Sequence, residues 1–321
     1  MELRQLRYFI AVAEEENFGA AAKRVNVSQP PISRQIHALE AELGVKLLLR
    51  TSRGSSLTEA GQVLLEEARE IVGRAQKAAE RSRAADKGEI GSMKVGFFGS
   101  PIYCVLPDLL RSFRKQVPSV QIALTCMPKS RQIEALRSGA IEIGFSRYFV
   151  PAPDVAVETV VEESLYVAVP SDHCLAKELT VETADLANHP LITFPNTGRP
   201  SFADEALGIL LAAGFKPNIR SEADDVTCAL ALVASGEGPC LVPESVTSIS
   251  LPGVVFIPLA DPHAKSAINC AYRKSNHSPI LKRFLATIQE RRERGSNSET
   301  TLAREDPSLC AHGRLLPAAA R

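Results

Sequence analysis

Residues 17–44 read NFGAAAKRVNVSQPPISRQIHALEAELG, and this stretch decides the fold of the first part of the chain. Asn17 is suited to cap a short, alanine-rich helix, which a brief turn follows. Ser28 is suited to cap a second helix, because Pro30 and Pro31 fit a first turn that needs no amide proton. The stretch therefore predicts two short helices joined by a sharp turn.

Two helices in this arrangement, the second opening with small polar residues, are typical of a helix-turn-helix. Its second helix fits the major groove of DNA, where side chains of the first turns read base edges. Gln29 can read a base through paired hydrogen bonds, and prolines offer apolar contact to a thymine methyl. The predicted DNA-contacting residues lie at the start of this helix and on the hairpin after it: Ser28, Gln29, Pro30, Pro31, Ser33, Arg34, Arg50 and Arg53.

The residues after this motif predict a small hairpin with a basic tip, which makes the domain a winged helix-turn-helix. A long helix follows, and it carries a narrow apolar stripe between charged flanks. Such a stripe is typical of a seam between two helices, so we predict that the helix dimerises the protein. The alternative, that it lies on its own domain, stays open. The stripe contains Leu64, Ala68, Ile71, Val72 and Ala75.

Charge supports the DNA prediction only locally, because the whole chain has a formal net charge of +0. Within 23–53 the basic residues are Lys23, Arg24, Arg34, Lys46, Arg50 and Arg53, and the acidic residues are Glu40 and Glu42. A basic cluster alone is usually a solvated face. Together with the helix caps and the hairpin, this one indicates a nucleic-acid contact.

The remaining sequence predicts an α/β region, because short strands alternate with helices and suggest a mainly parallel sheet. We divide the chain into a winged helix-turn-helix over 1–58, a linker helix over 59–87, a hinge over 88–92 and an α/β domain over 93–291. The residues from 292–321 lack periodicity and are predicted to be disordered.

Composition favours an ordinary globular protein, with 45% hydrophobic and 23% charged residues among 321. The charged start of the chain does not read as a signal peptide, and no apolar run is long enough for a membrane helix. We therefore expect a cytoplasmic protein with no membrane partner. The odd count of seven cysteines, without a C-x-x-C, favours reduced and mostly buried thiols, with a zinc site or a redox switch as the alternative.

Two rival classes of function are disfavoured. The sequence has no catalytic motif such as G-x-S-x-G, a Walker loop or H-E-x-x-H, and its six histidines are scattered. We therefore predict no catalytic residues, no metal site and no cofactor. A periplasmic solute-binding protein would suit the second half, but the N-terminal helices argue against it.

Five spaced blocks resemble the LysR-type transcriptional regulators. They are LRYF at 6–9, FGAAA at 18–22, VSQPPISRQI at 27–36, LE with ELG over 39–44, and LTEAG at 57–61. The resemblance covers residues 1 to about 291. It implies a tetramer of two linker-helix dimers that binds promoter double-stranded DNA, works with RNA polymerase and changes the DNA bend when an inducer arrives. The expected role is an activator of a neighbouring operon, and a repressor of an unrelated pathway is the alternative.

The same resemblance implies an effector domain of two α/β subdomains, similar to periplasmic binding proteins. The first would hold 93–161 and 267–291, and the second 162–266. Ligands of open α/β sheets sit past the carboxyl ends of strands, near helix starts. The candidate effector-binding residues at those ends are Ser100, Lys129, Arg147, Asn196, Thr197, Phe202 and Thr227. Ser100 can instead only cap its helix, and Lys129 and Arg147 can instead be surface residues.

Further blocks resemble the subgroup that regulates catechol and chlorocatechol breakdown. They are MELRQLRYF at 1–9, VGFFGS at 95–100, QIEAL at 132–136, IGFSR at 143–147 and LVASGEG at 232–238. The resemblance implies a small anionic metabolite of an aromatic pathway as inducer: cis,cis-muconate, a chloromuconate or a benzoate. An anionic ligand agrees with a site at helix starts.

Overall fold

The computed structural model describes residues 1–51 and 54–302, without the side chains of residues 50, 51 and 295–302. The chain divides into two compact units, Met1–Asp86 and Lys87–Arg321. Within the described ranges, no helix is long and apolar enough to cross a membrane.

The first unit is a winged helix-turn-helix followed by a long helix, as predicted. Its elements are α1 Leu3–Glu15, α2 Phe18–Arg24, α3 Gln29–Leu43, β1 Leu48–Thr51, β2 Gly54–Leu57 and α4 Glu59–Asp86. One apolar face of each helix points inward, with Phe9 of α1 and Ile32 of α3 fully buried. Because the apolar residues recur with the helical period, burial of that face in a common core stabilises each short segment as a helix.

Side-chain caps fix the starts of α2 and α4. The Asn17 Oδ1 atom accepts hydrogen bonds from the amides of Gly19 and Ala20, at 2.8 and 3.0 Å. The Thr58 hydroxyl accepts from the Gly61 amide at 2.9 Å. Ser28 precedes α3 as predicted, but its hydroxyl makes no capping hydrogen bond within the described structure. The expected side-chain cap is therefore wrong at this helix.

The apolar stripe of α4 serves its own domain along part of its length. Ala68 is fully buried and Val72 is 9% exposed, and both belong to the core that contains Phe9. Their side chains are therefore covered within their own unit, and the predicted dimer seam stays a prediction. Leu64, Ile71 and Ala75 remain half-exposed.

The second unit is built on a continuous sheet of strands with helices against it. Its strands are β3 Gly91–Phe97, β4 Val120–Cys126, β5 Ile143–Ser146, β6 Val155–Pro170, β7 Pro190–Thr193, β8 Asn218–Glu222, β9 Cys240–Pro243, β10 Val254–Pro258 and β11 Lys265–Arg273. Its helices are α5 Val105–Gln116, α6 Lys129–Ser138, α7 Phe202–Ala212, α8 Val226–Ala234 and α9 Pro279–Leu302.

The sheet is mixed, so the expectation of a mainly parallel sheet is wrong. Strands β4, β3 and β5 are parallel at one side, and β9, β7 and β8 are parallel at the other. The central strands β5, β11, β6 and β9 pair antiparallel. The antiparallel pairs arise because the long strands β6 and β11 cross from one half of the sheet to the other in opposite directions.

Two hydrophobic cores flank the crossing strands. One includes Met93, Phe113 and Phe284, and the other includes Val167 and Leu230. This is the predicted two-subdomain α/β architecture. The cores are separate because the helices that follow each set of parallel strands pack only on their own half of the sheet.

Three local features differ from the predicted pattern. Helix α9 continues to Leu302, past the predicted domain end at residue 291, and residues 303–321 lie outside the described part. Ser100 begins a 3-10 turn that ends at Ile102, and α5 begins only at Val105, so Ser100 does not cap that helix. The cysteines are not mostly buried, since half of those described are exposed: Cys126, Cys174 and Cys228.

Candidate DNA-contacting surface and effector cleft

The start of α3 presents the predicted DNA-contacting side chains to solvent. Ser28, Gln29, Pro30 and Arg34 are exposed, and Pro31 and Ser33 are half-buried. The opposite face of the helix is anchored by Ile32, Ile36 and Leu39, which are buried. Because the anchored face fixes the rotation of α3, the first two turns hold their polar side chains on one outward surface.

The local basic excess is smaller in the fold than in the sequence. Arg24 forms ion pairs with Glu14 at 2.7 Å and with Glu15 at 3.2 Å, and Lys46 pairs with Glu40 at 2.8 Å. Among the described residues, Arg34 forms no ion pair. Its guanidinium is therefore available to a base or a phosphate.

The hairpin lies beside α3 and pairs antiparallel, with Leu48 opposite Leu57 and Thr51 opposite Gly54. The backbone of Arg50 belongs to β1, but its side chain, and Arg53 altogether, lie outside the described residues. The two predicted contacts on the hairpin stay predictions.

A buried carboxylate connects α3 to the hairpin. Glu40 is 5% exposed, and it accepts hydrogen bonds from the Leu47 amide at 2.9 Å and the Leu48 amide at 3.3 Å. Burial acts to raise the pKa of Glu40, but the Lys46 ammonium and the two amides outweigh it, so this pKa lies below its ordinary value. The charged carboxylate holds the hairpin against α3.

In the second unit, Arg147 gathers segments from both halves of the sheet. Its Nε donates to the Ser100 hydroxyl and its Nη1 donates to the Ser266 carbonyl, each at 3.0 Å. Its Nη2 contacts the Glu163 carboxylate, which also accepts from the Ser245 hydroxyl at 3.1 Å. Arg147 is 8% exposed, so the alternative of a surface residue is wrong. Its charge is already neutralised by Glu163, so it orders the cleft rather than offering a free cation.

Lys129 is the cation that reaches across the two halves. It opens α6, and its ammonium donates to the carbonyl of Pro200 in the loop after β7. The same ammonium lies 5.7 Å from the centroid of the Tyr148 ring. Burial lowers the pKa of Lys129 from its ordinary value. Among the described residues no carboxylate pairs with this ammonium.

The loop after β7 contributes an unsatisfied acceptor. The Oδ1 atom of Asn196 is buried and has no hydrogen-bond partner within the described structure. Buried polar atoms are nearly always partnered, so this oxygen indicates room for a donor from a ligand or a water. Phe202 is 4% exposed beside Arg147, whose guanidinium carbon lies 5.8 Å from the ring centroid. Thr197 is exposed.

The last candidate, Thr227, lies at the start of α8 and is exposed. Its hydroxyl is 3.4 Å from the hydroxyl of Tyr103, which follows the turn containing Ser100. The structure thus brings Ser100, Arg147 and Phe202 together. It places Lys129 against the Pro200 carbonyl, and Thr227 against Tyr103.

Sequence reasoning missed several members of this site. Glu163, Ser245 and Ser266 were not singled out, because they lie inside strands or turns and bear no motif. A cleft of about 270 Å³ also lies in this unit, and of the predicted residues only Arg147 lines it. Its walls are Arg147, Tyr148, Phe149, Val157, Thr159, Glu205, Ala267 and Asn269. Alternate residues of a strand point to the same face of a sheet, and this period of two along β6 and β11 could have identified four of the eight. These four are Val157, Thr159, Ala267 and Asn269.

Comparison with known families and proteins accounts for both units. Residues 3–62 match the family described as bacterial regulatory helix-turn-helix protein, lysR family, and residues 86–293 match the LysR substrate binding domain. The HTH-type transcriptional regulator TcbR of Pseudomonas sp. (strain P51) is 46% identical over 289 residues, which cover 90% of this chain and 98% of TcbR.

Two solved structures extend the comparison. Full-length CbnR complexed with its target DNA is 44% identical with a TM-score of 0.82, and the match covers 91% of this chain and 99% of that one. The BenM effector binding domain with its effector benzoate is 30% identical with a TM-score of 0.57. That match covers 69% of this chain and 98% of the BenM domain.

Proposed function

Because the chain belongs to the LysR family of bacterial transcriptional regulators, we propose that it is an inducer-dependent activator of an operon for aromatic degradation. Its inducer is a small anionic metabolite such as cis,cis-muconate, a chloromuconate or benzoate. The similarity to BenM, whose effector domain was solved with benzoate, supports this class of ligand. The sequence blocks shared with regulators of catechol and chlorocatechol breakdown support it independently.

On the DNA side, we assign promoter recognition to the exposed start of α3. Gln29 and Arg34 face solvent from the first two turns, and Arg34 carries a charge that no described carboxylate neutralises. The similarity to CbnR, solved with its target DNA, supports this placement. Ser28, Pro30, Pro31 and Ser33 complete the contact surface at the same helix end. Arg50 and Arg53 extend it onto the hairpin.

The proposed class of effector ligand depends mainly on the environment of the Lys129 ammonium. It is half-buried, it spans from α6 to the Pro200 carbonyl, and among described residues it has no carboxylate partner. The Asp204 carboxylate acts on this ammonium only from a distance and is itself paired with Arg199. A desolvated cation that no carboxylate contacts favours an anionic ligand, because the ligand would supply the missing charge. The Ser100 hydroxyl accepts from Arg147, which leaves its own proton free to donate to a carboxylate. The Phe202 ring lies beside the Arg147 guanidinium in the same region.

We further propose that two copies dimerise through α4 and that two dimers form a tetramer. The apolar side chains left half-exposed on α4 are Leu64, Ile71 and Ala75, and Val63 is 66% exposed. Leu64 and Ile71 also pack against the domain's own core, so their exposed parts, with Val63 and Ala75, are what a second helix could contact. Light scattering of the full chain should give a mass close to four protomers.

The ligand class is tested by thermal unfolding of the full chain with cis,cis-muconate, 2-chloromuconate and benzoate. A ligand at a hundred times its dissociation constant stabilises the protein by about 2.7 kcal/mol. We expect one of these anions to raise the midpoint for the wild type and not for Lys129→Gln. Lys115→Gln, which removes an exposed lysine of α5, is the matched control and should keep the rise.

If none of the anions raises the midpoint, the aromatic-degradation proposal is wrong and the family assignment is unaffected. If Lys129→Gln keeps the full rise, the ligand is right but Lys129 does not hold it.

A further inference from the structure

Two strands of the second subdomain bring separate loops to one edge of the sheet. Strand β6 ends at Pro170, and β7 begins at Pro190. Both border β9, which is antiparallel to β6 and parallel to β7. The end of β6 and the start of β7 therefore lie at the same edge. That edge is opposite to the one where β7 leads into the Asn196 loop, so it is remote from the proposed effector site.

Three metal-ligating side chains meet in these loops. His173 and Cys174 follow β6, and His189 directly precedes β7. The ligand atoms of the three lie within 4.8 Å of one another, and the two imidazole ring centroids are 4.7 Å apart. The histidines were expected to be scattered, because these residues are far apart in the sequence. The fold corrects that expectation for this pair.

The spacing suits a tetrahedral cation. The Sγ atom of Cys174 lies 3.8 Å from Nδ1 of His173. With Zn–N near 2.0–2.1 Å and Zn–S near 2.3 Å, two ligands on a tetrahedral zinc are about 3.6 Å apart. This pair is thus almost at ligand separation before any ion binds, and His189 brings its ligand atom within 4.8 Å of both. Besides the Cys174 contact, the Nδ1 atom accepts from the Leu175 amide at 3.2 Å, a long hydrogen bond that an ion would replace.

We propose that His173, Cys174 and His189 form a binding site for a divalent cation of the zinc type, with water as the fourth ligand. Two imidazoles and one thiolate are a borderline-soft donor set, which zinc prefers over magnesium or calcium. Both histidines are half-buried and Cys174 is exposed, so an ion can enter from solvent on the cysteine side.

The ionisation of the site agrees with this chemistry. Burial and the neighbouring His189 lower the pKa of His173, against the opposing effect of Asp172. A neutral imidazole is the form that binds metal. When Zn²⁺ binds, the Cys174 thiol loses its proton to solvent and the resulting thiolate forms the S–Zn bond. No electron transfer is involved. The ion would join the loop after β6 to the loop before β7.

The test uses the full chain without an affinity tag, because added histidines would bind metal themselves. Co²⁺ titration should produce a thiolate-to-cobalt charge-transfer band in the near ultraviolet, and Zn²⁺ should displace the cobalt and remove the band. Zn²⁺ should also raise the midpoint of thermal unfolding. Cys174→Ser should abolish the band, and His189→Ala should weaken Zn²⁺ binding by more than about tenfold.

The controls separate this site from other thiols. Cys228→Ser removes another exposed cysteine, and His263→Ala removes another exposed histidine, so both should leave the band and the affinity unchanged. Cys310 lies outside the described residues, and Cys310→Ser tests its thiol directly. The proposal is overturned if the wild type gives no band, if Cys174→Ser retains it, or if Cys310→Ser removes it.

Discussion

At the scale of single residues, Glu40 shows how a buried charge is made tolerable. Desolvation disfavours the carboxylate, but two backbone amides and an ammonium favour it more strongly. The net effect is a lowered pKa, so the folded state holds the charged form more firmly than the unfolded chain does. The resulting stability is fully present above the unfolded pKa and is lost as pH falls through the lower, folded pKa.

We therefore expect Glu40→Gln to destabilise the hairpin at pH 7 by about 1–3 kcal/mol, because buried amides lose a charged acceptor. Hydrogen–deuterium exchange at the Leu47 and Leu48 amides measures this locally. The difference in exchange protection between wild type and variant should become smaller below about pH 4, where the glutamate of the unfolded chain is protonated. Glu66→Gln, at an exposed position of α4, should exchange like the wild type. A gap that is the same at every pH would contradict the argument.

Some residue roles could be predicted from sequence and others could not. Asn17 and Thr58 were predictable as caps, because the amides that they bind are only two or three residues away. The partners of Arg147 were not predictable. Glu163 and Ser266 lie on strands that reach Arg147 only through the sheet, and no local pattern marks them.

At the scale of elements, Gly61 determines how closely the start of α4 approaches the backbone just before β1. A Cβ atom at Gly61 would lie 2.1 Å from the Leu47 carbonyl oxygen and 2.9 Å from a methyl carbon of Leu57. The carbonyl belongs to backbone that Glu40 also holds, so it cannot easily move away. The close approach lets Thr58 cap the helix while its hydroxyl donates to the Lys46 carbonyl at 2.7 Å.

Gly61→Ala should lower the free energy of unfolding of the first unit by more than about 1 kcal/mol, since overpacking must displace backbone. Gly73→Ala is the matched control, because it lies on the same helix and nothing described lies within 4 Å of its Cβ position. It should instead stabilise the helix by about 0.4–1 kcal/mol. Urea unfolding monitored by exchange of α4 amides measures both. Equal effects of the two substitutions would show that the contact with Leu47 is unimportant.

Elements with strong periodicity were predictable, and elements with polar, exposed faces were not. Strand β8 escaped prediction because its sequence, NIRSE, has little apolar content. The first half of β6 escaped because Glu158 and Glu162 interrupt its apolar positions. Since this half crosses between the cores, the parallel sheet expected from alternating strands and helices became a mixed one.

At the scale of the whole molecule, recognition of DNA should depend on α3 and not on charge in general. We expect Arg34→Ala to weaken promoter binding by about 1–3 kcal/mol if its guanidinium reads a base. Arg74→Ala removes an exposed arginine of α4 and should leave the affinity unchanged. Gel mobility shifts at fixed, physiological salt measure both affinities. Undiminished binding by Arg34→Ala would remove that residue from the contact surface.

The division into two units was predictable, because the helical pattern of the first part changes to alternating strands and helices after the glycines at 88 and 91. How the protomers associate was less so. The apolar stripe of α4 follows a single helical period, but part of it packs on α1 and part remains exposed. Sequence periodicity reports that a face is apolar, and only the fold shows which neighbour covers it.

The pairing of β6 with β11 limits what any effector can do. The register shifts between Ile268 and Asn269, where the β6 partner passes from Val161 to Thr159, so the two-stranded ribbon has a crease where Val160 and Ile268 are buried in the first core. A hydrogen-bonded ribbon flexes much more readily than it stretches. We therefore expect effectors of different shape to act on one shared angle between the two halves of the sheet. Full and partial inducers would then differ only in how far they change this angle. A substitution that stiffens the crease should shift the response to all of them in the same direction.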